Sequence, residues 1–143
     1  MNKAAFSNHP RLLYYAHDEV LAWAKVKLQT NFPEPCFALG VLDGQGRLIG
    51  AVIYNDYGDK NVEMSIYGPR RVFYKNVSRE IFAYAFDHLG VERISLTIRE
   101  SSPEVIRAAQ KWGWVIEGRK RNFYGEGHHA VILGLLRAEC RFL

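Results

Sequence analysis

One strand–helix–strand unit constrains this chain more than any other feature. Val62-Glu63-Met64-Ser65-Ile66-Tyr67 alternates apolar and polar residues, the period of a half-buried strand. Ile81, Phe82, Ala85, Phe86 and Leu89 then recur at helical spacing and form an apolar stripe. Arg93-Ile94-Ser95-Leu96-Thr97-Ile98 returns to strong strand formers. Two strands joined through a helix in one sheet run parallel, and the crossover is right-handed. Residues 62–98 are therefore expected to place two parallel strands at the centre of the fold.

The flanking segments read as antiparallel partners for that unit. Residues 11–16 are short, apolar and aromatic and are expected to form a strand. Asp18 can cap a following helix marked by Val20, Leu21, Ala24 and Leu28, and Asn31-Phe32-Pro33-Glu34-Pro35 ends it. Residues 37–42 and 47–55 form a hairpin about Asp43-Gly44-Gln45-Gly46, and a polar turn over 56–61 leads into the strand 62–67. After Gly68-Pro69 comes a basic loop, 70–76, with Ser78 as the expected cap of the next helix and Gly90 as its end. Ser101 or Ser102 can cap a helix that begins with Pro103, carries Val105, Ile106 and Ala109, and stops at Trp112-Gly113. Residues 114–122 and 130–136 are the last two strands, joined through Tyr124-Gly125-Glu126-Gly127. The order is β-α-β-β-β-α-β-α-β-β. That is a mixed α/β fold, a mostly antiparallel sheet with a central parallel β-α-β crossover, expected to be a single domain.

Composition narrows the function classes. Over 143 residues, 48% hydrophobic and 24% charged content is enough to bury a core, so disorder is not expected. No apolar run reaches membrane-spanning length, and residues 1–7 lack the apolar stretch of a secretory signal, so a cytoplasmic location is expected. Cys36 and Cys140 form neither a disulfide framework nor a zinc-spaced pair, and no metal set is expected. A net charge of +4 favours an anionic partner without choosing between a phosphorylated cofactor and nucleic acid.

The C-terminal half resembles a known family. Leu89-Gly90-Val91-Glu92-Arg93-Ile94 is similar to the end of the central helix and the start of the fifth strand in GCN5-related N-acetyltransferases. Ser101-Ser102-Pro103-Glu104-Val105-Ile106-Arg107, through Gln110-Lys111-Trp112-Gly113-Trp114, resembles their pattern N-x-x-S-I-x-x-x-E-K-x-G-F. Val115-Ile116-Glu117-Gly118-Arg119-Lys120-Arg121 resembles x-x-E-G-x-x-R, and His129-Ala130-Val131-Ile132-Leu133-Gly134-Leu135-Leu136 resembles the last strand. The general look is closest to small phage-associated members. As residue motifs, the resemblance covers 89–136; as an order of elements, it covers the whole chain.

The resemblance implies an acyl-CoA-dependent N-acyltransferase that moves acetyl from acetyl-CoA to a primary amine by direct attack. The co-substrate would lie between the fourth and fifth strands, against Met64, Ser65 and Ile66. Its pyrophosphate would sit on the basic loop, at Arg70, Arg71, Val72, Phe73, Lys75 and Asn76, where a helix start offers unpaired N–H groups. Ser102, at the position of the family asparagine, and Ile106 complete the cofactor set. The loop departs from the family's glycine-rich form. The family tyrosine that protonates the leaving thiolate aligns with Ala109, which leaves Tyr124 or Tyr74 as substitutes.

Glu63 is the candidate base and Tyr124 the candidate acid; the bland alternative for Glu63 is a solvated position on an alternating strand. His128 and His129 are expected to be a polar approach to the last strand, and the glycine-rich turn at Asp43 a hairpin instead of a nucleotide loop. The acceptor is a small-molecule or protein amine, and a homodimer fits the family. The runner-up readings are a nucleic-acid-binding or base-modifying relative, or a non-catalytic one.

Overall fold

In a computed structural model, residues 9–69 and 75–143 are described. The elements follow the expected order: β1 Arg11–Leu13, α1 His17–Leu28, β2 Cys36–Leu42, β3 Leu48–Gly58, β4 Asn61–Tyr67, α2 Lys75–Ala83, β5 Arg93–Arg99, α3 Pro103–Lys111, β6 Val115–Lys120 and β7 Ala130–Leu136. They build one seven-stranded sheet in the order β1-β2-β3-β4-β5-β7-β6. Among the described residues only β4 and β5 are parallel neighbours; the remaining pairs are antiparallel. No helix among the described residues is long and apolar enough to cross a membrane.

Alternation along the strands divides the core in two. On one face Val20, Leu21 and Ala24 of α1 pack on Cys36, Ala38, Ala51 and Ile53. On the other, Val77, Ile81 and Phe82 of α2 pack with Val52, Tyr54, Val62, Met64 and Ile94, and Ile106 and Ala109 of α3 lie against the same cluster. Tyr54 is fully buried, and its hydroxyl donates to the Ile81 carbonyl at 2.7 Å, tying β3 to α2. The chain runs on from α2 into a π-helical turn, Tyr84–His88, where the Leu89 N–H donates to the Tyr84 carbonyl. Gly90, at φ +74°, then turns the chain toward β5.

Several local expectations are corrected. The first strand stops at Leu13, because Tyr15 takes a positive φ and is fully exposed. The first helix starts at His17 after Ala16, so Asp18 lies inside the first turn and caps nothing. The second helix starts three residues before Ser78, whose hydroxyl is buried inside the helix with no partner. Ser102 precedes α3 as expected but makes no side-chain cap; its carbonyl accepts from the N–H groups of Val105 and Ile106. The turn at Asp43, by contrast, is the hairpin expected, with Asp43 Oδ1 accepting from the N–H groups of Gln45 and Arg47 at 2.9 Å.

Candidate active site

The parallel pair at the centre of the sheet is short. Asn61 pairs with Arg93, Val62 with Ile94 and Glu63 with Ser95, and there the pairing ends. Both strands continue. Residues 64–67 remain bonded to β3, and residues 96–99 remain bonded to β7. In an antiparallel ladder alternate residues direct N–H and C=O to one neighbour, and the intervening residues direct theirs the other way. Past Glu63 and Ser95 neither strand has a second neighbour among the described residues, so each presents backbone groups to a wedge-shaped gap.

The ends of the two strands carry the helices. α2 begins at Lys75, beyond the C-terminal end of β4, and α3 begins at Pro103, just past the C-terminal end of β5. The mouth of the gap thus lies at the carboxyl ends of two parallel strands, with the start of α3 following β5, the usual position for a ligand in an open α/β sheet; the start of α2 touches β1 through Asn76.

Glu63 stands where the strands part. It shares a row and a face with Cys36 and Asn55, hence the face that α1 covers over β2 and β3. Over β4 and β5 that face has no helix on it among the described residues. Glu63 Oε1 accepts from the Thr97 hydroxyl at 2.6 Å, a bridge across the first step of the gap. One row back, Asn61, Arg93, Ser95 and Glu117 form a hydrogen-bonded set: Ser95 Oγ and Arg93 Nε both donate to Asn61 Oδ1, and Arg93 also pairs with Glu117.

Tyr124 reaches this place from the β6–β7 connection. Its N–H donates to the His128 carbonyl, and the Arg99 guanidinium lies 4.0 Å from its ring centre. Burial pushes the Tyr124 hydroxyl above its ordinary pKa; Arg99 opposes that shift and the Glu63 carboxylate adds to it. The structure therefore brings Glu63, Thr97, Arg99 and Tyr124 together.

The other expected residues divide. Met64 is buried in the core, so only its backbone can face a ligand, while Ser65 and Ile66 are half-exposed along the gap. Lys75 is the exposed first residue of α2. The Asn76 side chain instead donates to the Pro10 carbonyl at 3.4 Å. Ser102 and Ile106 flank the start of α3, with Ile106 packed on the core. Arg70, Arg71, Val72, Phe73 and Tyr74 lie outside the described residues. His129 Nδ1 accepts from the Asn122 N–H, so this histidine braces the loop, as the polar-approach reading expects.

Sequence reasoning missed Thr97 and Arg99. Both sit two-residue steps along β5 from Ser95, so they point to the same face, and that period was the available signal.

The fold has close counterparts. A solved structure of spermidine/spermine N-acetyltransferase from Vibrio cholerae, in complex with manganese ions, superposes with a TM-score of 0.73 at 15% identity, over 91% of this chain and 94% of that one. A chimera of that enzyme gives 0.75 at 15% identity, over 92% of this chain and 98% of the other. This chain has the fold of the GCN5-related N-acetyltransferases. A probable acetyltransferase gives 0.69 at 16% identity, over 94% and 96%. No family model and no curated protein sequence matches the chain.

Proposed function

We propose that this chain with an N-acetyltransferase fold transfers an acetyl group from acetyl-CoA to an amine by direct attack. The observation that carries this reading is the parting of β4 and β5 after Glu63 and Ser95. Unpaired backbone groups on both sides suit the amides of a pantetheine arm, and the helix starts beyond suit its phosphates. The thioester supplies the activated acyl group; the chain's residues hold it and manage protons. Glu63, hydrogen-bonded to Thr97, takes the proton of the attacking amine. Tyr124, kept neutral by burial and by Glu63, returns a proton to the departing thiolate. Arg99, stacked on the Tyr124 ring, holds that ring over the gap. Met64, Ser65 and Ile66 supply the strand edge, and Lys75 with the loop before it supplies positive charge.

The acceptor approaches from the open polar face of β4 and β5. The structural neighbours named for spermidine favour a small polyamine or similar primary amine as the first acceptor to try. The nucleic-acid reading draws on Arg70, Arg71, Lys75, Arg119, Lys120 and Arg121; of these Arg119 is paired with Glu100, and the Lys120 ammonium lies over the Phe123 ring. Both contacts leave less free charge for phosphates.

The test is release of free coenzyme A from acetyl-CoA by the purified chain, followed with a thiol reagent, across a panel of primary amines. Acceptor-dependent release with acetylated product in equal amount supports the proposal. Failure to bind acetyl-CoA at saturating concentration overturns it.

A further inference from the structure

At the far edge of the sheet, two strands away from the gap, the start of α1 meets the start of β2, and three chemically different side chains converge. His17 is the first residue of α1, Cys36 is the first residue of β2, and Glu34 lies two residues before Cys36 in the connection. Their donor atoms, an imidazole nitrogen, a carboxylate oxygen and a thiol sulfur, all lie within 4.8 Å of one another. A tetrahedral ion with sulfur at about 2.3 Å and nitrogen and oxygen at about 2.0–2.2 Å holds such atoms about 3.5 Å apart. Side-chain rotation alone covers a closure of that size. None of the three makes an ion pair among the described residues.

We propose that His17, Glu34 and Cys36 bind one divalent transition-metal ion of the zinc type. A mixed sulfur, nitrogen and oxygen set suits a borderline-soft ion over magnesium or calcium, which take oxygen sets. Cys36 is buried and Glu34 is exposed, so the ion sits at the surface end of the cluster with the sulfur beneath it. Three protein ligands leave a fourth position. His17 and Cys36 line a cavity of about 650 Å³ whose walls include Tyr14, Tyr15, Phe37 and Tyr84, and the fourth position opens toward it. Water or a ligand donor atom in that cavity completes the set.

Two features of the surroundings bear on binding. Glu34 accepts a hydrogen bond from the Cys36 thiol, a bond that ends when an ion takes the sulfur, and Lys25 of α1 lies near enough to oppose the ion. The Ala38 N–H donates to His17 Nδ1 at 3.1 Å, which fixes the ring against β2. An ion taking that lone pair displaces the Ala38 N–H, so the amide reports directly on occupancy. Binding replaces the Cys36 thiol proton, which leaves to solvent. The ion ties the start of α1 to the start of β2 and stabilises the folded chain in proportion to its saturation.

The experiment uses the full chain without a histidine tag, reduced and stripped of metal, titrated with Co²⁺ and then Zn²⁺. The expected result is one Co²⁺ per chain, a near-ultraviolet sulfur-to-cobalt band, visible bands of four-coordinate intensity, and loss of all of them on adding Zn²⁺. Cys36→Ala removes the sulfur band; Cys140→Ala keeps it. Glu34→Gln, at an exposed position and nearly isosteric, weakens Co²⁺ binding at least tenfold. Absence of the sulfur band in the unsubstituted chain, its persistence in Cys36→Ala, or unchanged affinity in Glu34→Gln each overturns the site. None of these readouts involves acetyl-CoA, so the outcome is independent of the transferase reading.

Discussion

Replacing Glu63 with Gln separates charge from shape at the point where the strands part. The amide oxygen of Gln can still accept from the Thr97 hydroxyl, now 2.6 Å from Glu63 Oε1, so the bridge across the gap survives. Glu63 is half-exposed, and its row neighbours Asn55 and Ser95 are neutral, so the fold loses no ion pair. The expected change in unfolding free energy is within about 0.5 kcal/mol. The loss of a positioned base costs about 10²–10⁴ in rate, or about 3–5 kcal/mol on the barrier. The assay is kcat/KM for acceptor-dependent thiol release over a pH range, with acetyl-CoA affinity measured in parallel. The variant is expected to bind acetyl-CoA normally, react slowly near neutrality, and recover as rising pH deprotonates the amine in solution. A second readout is independent of turnover. The Glu63 charge raises the Tyr124 pKa, so Glu63→Gln lowers it, as followed by the ring-carbon NMR shift of Tyr124. Equal kcat/KM at every pH, together with an unmoved Tyr124, would refute the reasoning.

Further expectations follow from other parts of the molecule. Tyr124→Phe keeps the ring under Arg99 but removes the proton donor, and should lower kcat by about 10²-fold or more with little change in acetyl-CoA affinity; unchanged kcat rules Tyr124 out as the acid. With Tyr124 intact, activity should fall on the alkaline side only above the ordinary tyrosine value, because its raised pKa keeps the hydroxyl protonated until then. Gly40→Ala places a Cβ 2.8 Å from Leu48 Cδ1 and 3.0 Å from Val20 Cγ2, where β2 meets α1, and should destabilise by about 1–3 kcal/mol in denaturant unfolding. Asp43 has its pKa lowered chiefly by the Arg47 N–H, so its contribution is complete above the unfolded carboxylate value, about 4, and is lost as pH falls through the lower folded value. The stability difference between the unsubstituted chain and Asp43→Asn should therefore shrink in acid; a difference that grows there contradicts the hairpin account.

The order of elements was legible because each face of the sheet writes its own period. Val62 and Met64 face α2 while Glu63 and Ser65 face away, and that alternation is visible in the letters. Helix starts were less legible. His17 opens its helix without a side-chain cap in front and Lys75 opens the next one three residues before Ser78, so the polar residues at Asp18 and Ser78 drew the boundary too late. The divergence of β4 from β5 left no local mark, since it depends on which strands hold residues 64–67 and 96–99 from the other side. Nor could local pattern pair Glu63 with Thr97, or Arg99 with Tyr124, across a sheet and a loop. Tyr124 came into view only because the resemblance left a proton donor unassigned at Ala109. His17, Glu34 and Cys36 stand in two segments whose spacing fits no metal motif, and only the contact between α1 and β2 joins them.

The central claim is that acetyl-CoA occupies the gap between β4 and β5. The most direct measurement is amide NMR of the isotopically labelled chain during titration with coenzyme A and acetyl-CoA. Saturable shifts should concentrate in residues 64–67 and 96–99 and at the start of α3, with the amides of β6 unmoved. Shifts absent at saturating ligand, or confined to the cavity lined by Tyr14 and Tyr84, would contradict it.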